Sequence, residues 1–276
     1  MPNCDITTQL IEQTARSTAK SPMSLFSIIK SLLIIYLLLC GAFYTFQRSL
    51  IYHPAAAIKH PFKTIKISVG VHTVEALSVN PGENDVIVYF GGNAENVAYT
   101  AVDFSTEFPE HTTYLMKYRG YGGAEGSASE ASLFADALAL FDHINQSPKT
   151  KITIMGRSLG AGVATFLAAE RTANKLILIT PFTSLRAVAI DWFPIFPIKT
   201  LLKDHYDSAA RIDEINAQTL IIAAENDELV NAYHAKTLLL HFPENQVMWR
   251  SINAGHNDID MSPLYFNSLK QFIVIN

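Results

Sequence analysis

The chain has 276 residues, 49% of them hydrophobic, and a formal net charge of −4. That is enough apolar material for one large single-core domain, and the charge is neither basic nor patchy enough for nucleic acid. The two cysteines, Cys4 and Cys40, both precede the region that carries the chemistry, which argues against a disulfide framework.

Residues 1–24 are polar and rich in Ser and Thr. Residues 25–46, LFSIIKSLLIIYLLLCGAFYTF, have about the length of one bilayer-spanning helix. Lys30 is the sole charge and lies near one end, where its ammonium reaches the headgroups. Phe43, Tyr44 and Phe46 fall at the other edge, as an aromatic belt does. A core helix would not be apolar on nearly every face. A cleavable signal peptide is the rival reading, but the preceding segment is long for one and no clear small-residue cleavage site follows. The expectation is an uncleaved single-pass anchor in a lipid bilayer. Arg16, Lys20 and Lys30 on one side balance Arg48, Lys59, Lys63 and Lys66 on the other, so the positive-inside rule does not choose an orientation.

Residues 47–62 read as a linker. Residues 63–69 alternate Lys/Thr with Ile, a half-buried strand, and 71–79 read as its hairpin partner. Residues 86–90 are a continuous apolar strand ended by Gly91-Gly92-Asn93, and 95–108 read as a helix. A strand over 113–118 leads into a Gly-rich loop, 119–126, which lacks both the P-loop lysine and the spacing of a dinucleotide fingerprint. It reads as a loop beneath the site. A helix follows over about 130–145.

Residues 151–162, KITIMGRSLGAG, organise the chain. A β-branched apolar run leads into Gly156-Arg157-Ser158-Leu159-Gly160, which has the G-x-S-x-G form of a nucleophile elbow. So tight a turn leaves room only for glycines beside the serine, and it aims the next helix's N-terminus at the hydroxyl. Strands over 175–180, 219–224 and 246–252 and helices over 232–241 and 262–273 continue the alternation. Residues 181–217 interrupt it and read as a cap insertion over the sheet. Strands alternating with helices predict an α/β fold with a mostly parallel sheet covered on both faces.

A serine hydroxyl is a weak nucleophile without a base, and the base needs an acid to hold its tautomer. In such sheets, ligands gather at the carboxyl ends of strands. Asp227 follows the strand ending at Ala224, and His256 follows the strand ending at Ile252. The order Ser158, Asp227, His256 is the one expected after an elbow. Glu225 and Glu228 compete with Asp227; Asp258 and Asp260 read as capping the last helix or orienting the His256 loop. Expected oxyanion donors are the N–H groups of Leu159, next after the nucleophile, and Asn93, after the glycine pair. Trp192, Phe193 and Phe196, in the insertion, are candidate acyl-binding residues; packing of the insertion is the plainer alternative.

Several short motifs stand in one order: QRSLIYHP after the apolar span, FGGNAEN, YRGYGGAEG, GRSLGAG, PFTSL and GHND. With them the chain resembles α/β-hydrolases of the Bem46-like, membrane-anchored group and the α/β-hydrolase domain-containing proteins. The resemblance implies an α/β-hydrolase fold with a short cap, preceded by one transmembrane helix. It implies Ser158, Asp227 and His256 as a triad, with Asn93 and Leu159 as the oxyanion hole. Gly91 stands where that group usually has His, which puts the support of the loop in doubt. The expected function is a membrane-anchored serine hydrolase of carboxylic esters or thioesters bearing an acyl chain, with no metal or organic cofactor. A serine peptidase of aminopeptidase type and a catalytically silent membrane scaffold are the alternatives.

Overall fold

The structure is a computed structural model that describes residues 24–147 and 150–274. The polar segment expected over residues 1–24 lies, apart from Ser24, outside the described residues. The chain divides into two units that part between Thr45 and Phe46.

The first described element is helix α1, Leu25–Ile51, of 27 residues. At about 1.5 Å per residue it is roughly 40 Å long, more than a hydrocarbon core of about 30 Å requires. Among the described residues it is the one helix long and apolar enough to cross a membrane. It runs past Phe46, so residues 47–51, expected as linker, are helical. The reason lies far off in sequence. In the second unit, Gln47 donates to the Leu201 carbonyl and accepts from the Lys203 N–H. Arg48 forms a two-pronged pair with Asp204, and Tyr52 also donates to Asp204.

The second unit is built on eight strands: β1 Lys63–Val69, β2 His72–Val79, β3 Asp85–Phe90, β4 Thr112–Lys117, β5 Lys151–Arg157, β6 Lys175–Ile179, β7 Gln218–Ala224 and β8 Val247–Ile252. Their order in the sheet is β1-β2-β4-β3-β5-β6-β7-β8. Only the pairings β1 with β2 and β2 with β4 are antiparallel. The central strands read as continuous apolar runs because both faces are buried. Val88 and Phe90 of β3 face one core layer with α3, Glu130–Ile144, and α4, Leu159–Glu170. Ile87 and Tyr89 face the other, with α2, Val97–Glu107, and the last helix.

Chain order reverses at β3, which lies between β4 and β5, so a crevice opens at the carboxyl ends of β3 and β5. Helix α2 starts later than the sequence implied, because the Asn96 side chain caps it by accepting from the Ala98 N–H. The insertion folds as α5, Leu185–Trp192, the single turn α6, Ile198–Leu201, and a 3-10 turn, Ala209–Glu214. Pro194 and Pro197 fall between α5 and the turn of α6, where a proline breaks a regular helix. Helix α7, Ala232–Leu239, and helix α8, Pro263–Val274, complete the unit.

Candidate active site

Ser158 sits between β5 and α4 with φ 52° and ψ −115°, a backbone conformation costly for any residue with a Cβ. The surroundings enforce it. The Ser158 N–H donates to the Ile179 carbonyl at 2.9 Å. A Cβ on Gly160 would stand 2.0 Å from the Phe90 carbonyl oxygen, and one on Gly156 2.2 Å from the Gly160 carbonyl oxygen. Backbones pack here at distances only glycine permits.

The β7 and β8 loops bring Asp227 and His256 to this point. His256 Nε2 lies 2.9 Å from Ser158 Oγ, and His256 Nδ1 lies 2.6 Å from Asp227 Oδ2. A carboxylate only accepts, so Nδ1 carries the proton and Nε2 is left to accept from the serine hydroxyl. The Asp227 side chain is 2% exposed, and its other oxygen accepts from the Leu229 and Val230 N–H groups. Glu225 is turned away to accept from Ser251, so geometry favours Asp227 over this neighbour. Asp258 accepts from the Gly255 N–H and Asp260 pairs with Arg157, so both orient the His256 loop. Arg157 also donates to the His256 carbonyl at 2.9 Å. Sequence reasoning missed this link, although Arg157 stands inside the elbow motif. Burial works against the Arg157 charge, but Tyr89, Glu95, Tyr265 and Asp260 outweigh it and raise its pKa.

The loop after β3 lies against the elbow: a Cβ on Gly92 would be 3.7 Å from Ser158 Cβ. Within the loop, the Gly92 N–H donates to Glu95 Oε2, the Ala94 N–H to Asn93 Oδ1 and the Glu95 N–H to the Gly92 carbonyl. Those three donors are committed inside the loop, and the Asn93 N–H is not among them. On the other side, Leu159 opens α4, its N–H is one of the helix's unpaired first donors, and Ser158 does not cap it. A groove of about 910 Å³ borders the loop at Ala94 and is lined also by Arg48, Tyr52, His53 and Arg119. It does not include Trp192, Phe193 or Phe196.

No family model matches the chain. It is 38% identical over 150 residues to an uncharacterised protein of Mycobacterium tuberculosis, a match covering 53% of each, so the chain spans about half the length of that relative. The α/β-hydrolase domain-containing protein aho-3 of Caenorhabditis elegans is 30% identical over 201 residues, 70% of this chain and 58% of that one. An uncharacterised membrane protein of Saccharomyces cerevisiae is 26% identical over 71% of this chain and 72% of its own. Protein bem46 of Schizosaccharomyces pombe is 27% identical over 72% and 70%. Among solved structures, an esterase of Pyrococcus furiosus superposes with a TM-score of 0.64 at 14% identity, covering 81% of this chain and 95% of that one. The chain has the α/β-hydrolase fold and is a relative of the Bem46 and α/β-hydrolase domain-containing proteins.

The departure at Gly91 has a structural answer. The buried Tyr118 hydroxyl donates to the Gly91 carbonyl at 2.7 Å. Glu95, which sequence reading passed over, accepts from the Tyr89 and Thr100 hydroxyls while holding the Gly92 N–H. The loop is thus braced by side chains other than a histidine at position 91. The Gly-rich loop, 119–126, touches the loop after β3: its Tyr121 hydroxyl donates to Asn93 Oδ1 at 2.8 Å. Burial pushes the Tyr121 phenol up to about 12, so it is a protonated donor at neutral pH.

Two of the three candidate cap residues lie on the outside, and Phe196 is half-buried. Trp192 is 56% exposed and Phe193 39% exposed. The Trp192 indole N–H donates to the Leu229 carbonyl, two residues from Asp227. Asp191 accepts from Tyr233 and pairs with the buried His234 at 3.0 Å, so the end of α5 is fastened to the first turn of α7, the helix that follows the Asp227 loop. Burial pushes the His234 pKa down, while Asp191 and Asp227 pull it the other way.

Proposed function

We propose that the chain is a membrane-anchored serine hydrolase that cleaves carboxylic esters or thioesters through an acyl-enzyme. The hydrogen-bonded run from Ser158 through His256 to the buried Asp227, on a strained elbow, carries this reading. Ser158 Oγ attacks the acyl carbonyl as His256 Nε2 takes its proton, and Asp227 balances the charge that forms on the imidazole. The carbonyl oxygen, now negative, is held by the N–H groups of Asn93 and Leu159; losing one such donor typically costs about 3–4 kcal/mol. The intermediate collapses, His256 gives its proton to the leaving oxygen or sulfur, and Ser158 remains acylated. Water then attacks by the same steps, with His256 again the base, and releases the acid. Esterases of the same fold support an ester substrate, and the exposed apolar cap supports an acyl chain.

A substrate panel on detergent-solubilised enzyme tests this, with Ser158→Ala as the blank. If Trp192, Phe193 and Phe196 hold an acyl chain, each added methylene contributes up to about 0.8 kcal/mol, roughly fourfold in kcat/KM. Specificity should then rise from acetyl to medium-chain esters measured below their micelle concentrations. Phe193→Ala and Phe196→Ala should flatten the rise and spare acetyl-ester turnover. Trp192→Ala should lower turnover at every length as well, because its indole holds the Leu229 carbonyl. A flat wild-type profile removes the acyl groove, and turnover of aminoacyl amides but not esters moves the assignment to a peptidase.

The apolar span of α1 and the yeast relative named as a membrane protein support the anchor. Full-length protein should stay in the membrane pellet through carbonate and high salt. Release by carbonate would mean that α1 does not span a bilayer.

A further inference from the structure

The motif QRSLIYHP has no place in the chemistry proposed above, yet its last residues touch the oxyanion loop. The Asn93 carboxamide is the point of contact. Its Oδ1 accepts from the His53 N–H at 3.0 Å, from the Tyr121 hydroxyl at 2.8 Å and from the Ala94 N–H at 3.1 Å. Its Nδ2 donates to the Ile51 carbonyl at 2.5 Å and meets His53 Nδ1 at 2.9 Å. Backbone N–H groups only donate and a carbonyl only accepts, so the amide has one orientation. Its Nδ2 is a donor, hence His53 Nδ1 is an acceptor and His53 carries its proton on Nε2. Every hydrogen-bonding position of this side chain is filled, and all its partners but the Ala94 N–H come from two segments remote from the loop. Ala94, the next residue, holds a φ of 62°, a conformation that persists in a residue with a Cβ only where its surroundings impose it.

We infer that His53 and Tyr121 are positioning residues of the hydrolase: through the Asn93 carboxamide they fix the direction of the Asn93 backbone N–H toward the developing oxyanion. The proposal rests on the serine-hydrolase reading. The segment that follows the apolar span in sequence is therefore part of the catalytic apparatus. The same contact would also exist if Asn93 merely pinned residues 51–53 to the domain. The two roles differ in what they predict: pinning is felt in stability, positioning in stabilisation of a tetrahedral oxyanion.

The experiment uses full-length enzyme in detergent, with His53→Ala, His53→Asn and Tyr121→Phe. For each, kcat and KM on an acetyl ester, Ki for a trifluoromethyl ketone, and Tm are measured. Ser158 adds to such a ketone and its carbonyl oxygen becomes the alkoxide held by the oxyanion donors. His53→Ala and Tyr121→Phe should each lower kcat by about tenfold or more, within the range set by loss of an oxyanion donor. KM should change little, and Ki for the ketone should rise in proportion to the loss in kcat/KM. His53→Asn, whose side-chain oxygen replaces Nδ1 as acceptor, should recover most of the loss. The double variant should fall short of the product of the singles, since both act through one amide. Normal kcat in both His53→Ala and Tyr121→Phe overturns the proposal. So does a loss of kcat with unchanged ketone Ki, or a lowered Tm that accounts for the lost activity. Wild-type enzyme that hydrolyses esters in a Ser158-dependent way while the variants match it sinks the positioning role alone. Wild-type enzyme that hydrolyses none of the panel and resists a fluorophosphonate probe sinks both readings.

Discussion

Ser158→Ala should lower kcat on the best ester by about 10⁴- to 10⁶-fold, and adding His256→Ala should cost little more. The near-absence of a second loss follows from the geometry. His256 Nε2 lies 2.9 Å from Ser158 Oγ, and in the proposed mechanism it serves the reaction only through that hydroxyl, so removing either group removes the same step. Asp227→Asn should cost about 10⁴-fold. An amide can offer His256 Nδ1 a donor, which favours the tautomer whose Nε2 carries the proton, and that Nε2 no longer accepts from Ser158. The Asp227 oxygen that accepts from the Leu229 and Val230 N–H groups would hold the loop in place if the Asn keeps its oxygen on that side. The activity should therefore vanish without a comparable loss of stability. A residual rate should persist in all three variants, because the proposed oxyanion donors, Asn93 and Leu159, remain. Steady-state turnover, together with labelling by a fluorophosphonate, checks the set. Near-normal turnover in purified Ser158→Ala or His256→Ala would end the assignment, and a mild Asp227→Asn would pass the acid's role to another carboxylate.

The elbow and the order of its expected partners were legible because each is local. A glycine pair brackets Ser158, and Asp227 and His256 each stand a few residues past an apolar strand. The local part of what holds them, Asp258 on the Gly255 N–H, was legible too; most of what surrounds them was not, because it is assembled from distant chain. Gln47 and Arg48 read as linker, since their partners, Leu201 and Asp204, lie more than 150 residues away. Gly91 read as a gap in the loop's support, since the hydroxyl that fills it belongs to Tyr118, on the far side of a helix and a strand. The glycine-rich loop gave the opposite lesson. Its lack of a phosphate-binding spacing was readable, but what it delivers is the Tyr121 hydroxyl, which no local pattern marks. Arg157 is the instructive middle case. It stands in the most conspicuous motif of the chain, and its use, bonding the His256 carbonyl and Asp260, appears only once β5 and β8 share a sheet.

Gly160→Ala should be the most damaging single methyl in the protein. The added Cβ would stand 2.0 Å from the Phe90 oxygen and 2.5 Å from the Gly91 oxygen. Both are backbone atoms at the end of a central strand, so no side-chain rotation relieves the clash. Either α4 backs out of the sheet or β3 shifts, and β3 leads directly into the loop that holds Asn93. Overpacking a core typically costs 1–3 kcal/mol and occasionally more; a backbone clash belongs at the top of that range, about 3 kcal/mol. For a domain of this size that lowers Tm by roughly 6–12 °C. Gly92→Ala is the informative contrast. Its Cβ would make ordinary contacts, 3.5 Å from Glu95 Oε2 and 3.7 Å from Ser158 Cβ, so Tm should hold while the methyl crowds the space beside the nucleophile and slows turnover. Thermal melts and acetyl-ester kinetics on the two variants separate these effects. A Gly160→Ala enzyme that melts with the wild type and keeps its rate would mean that α4 does not press against β3, and the elbow on which Ser158 is raised would need another geometry.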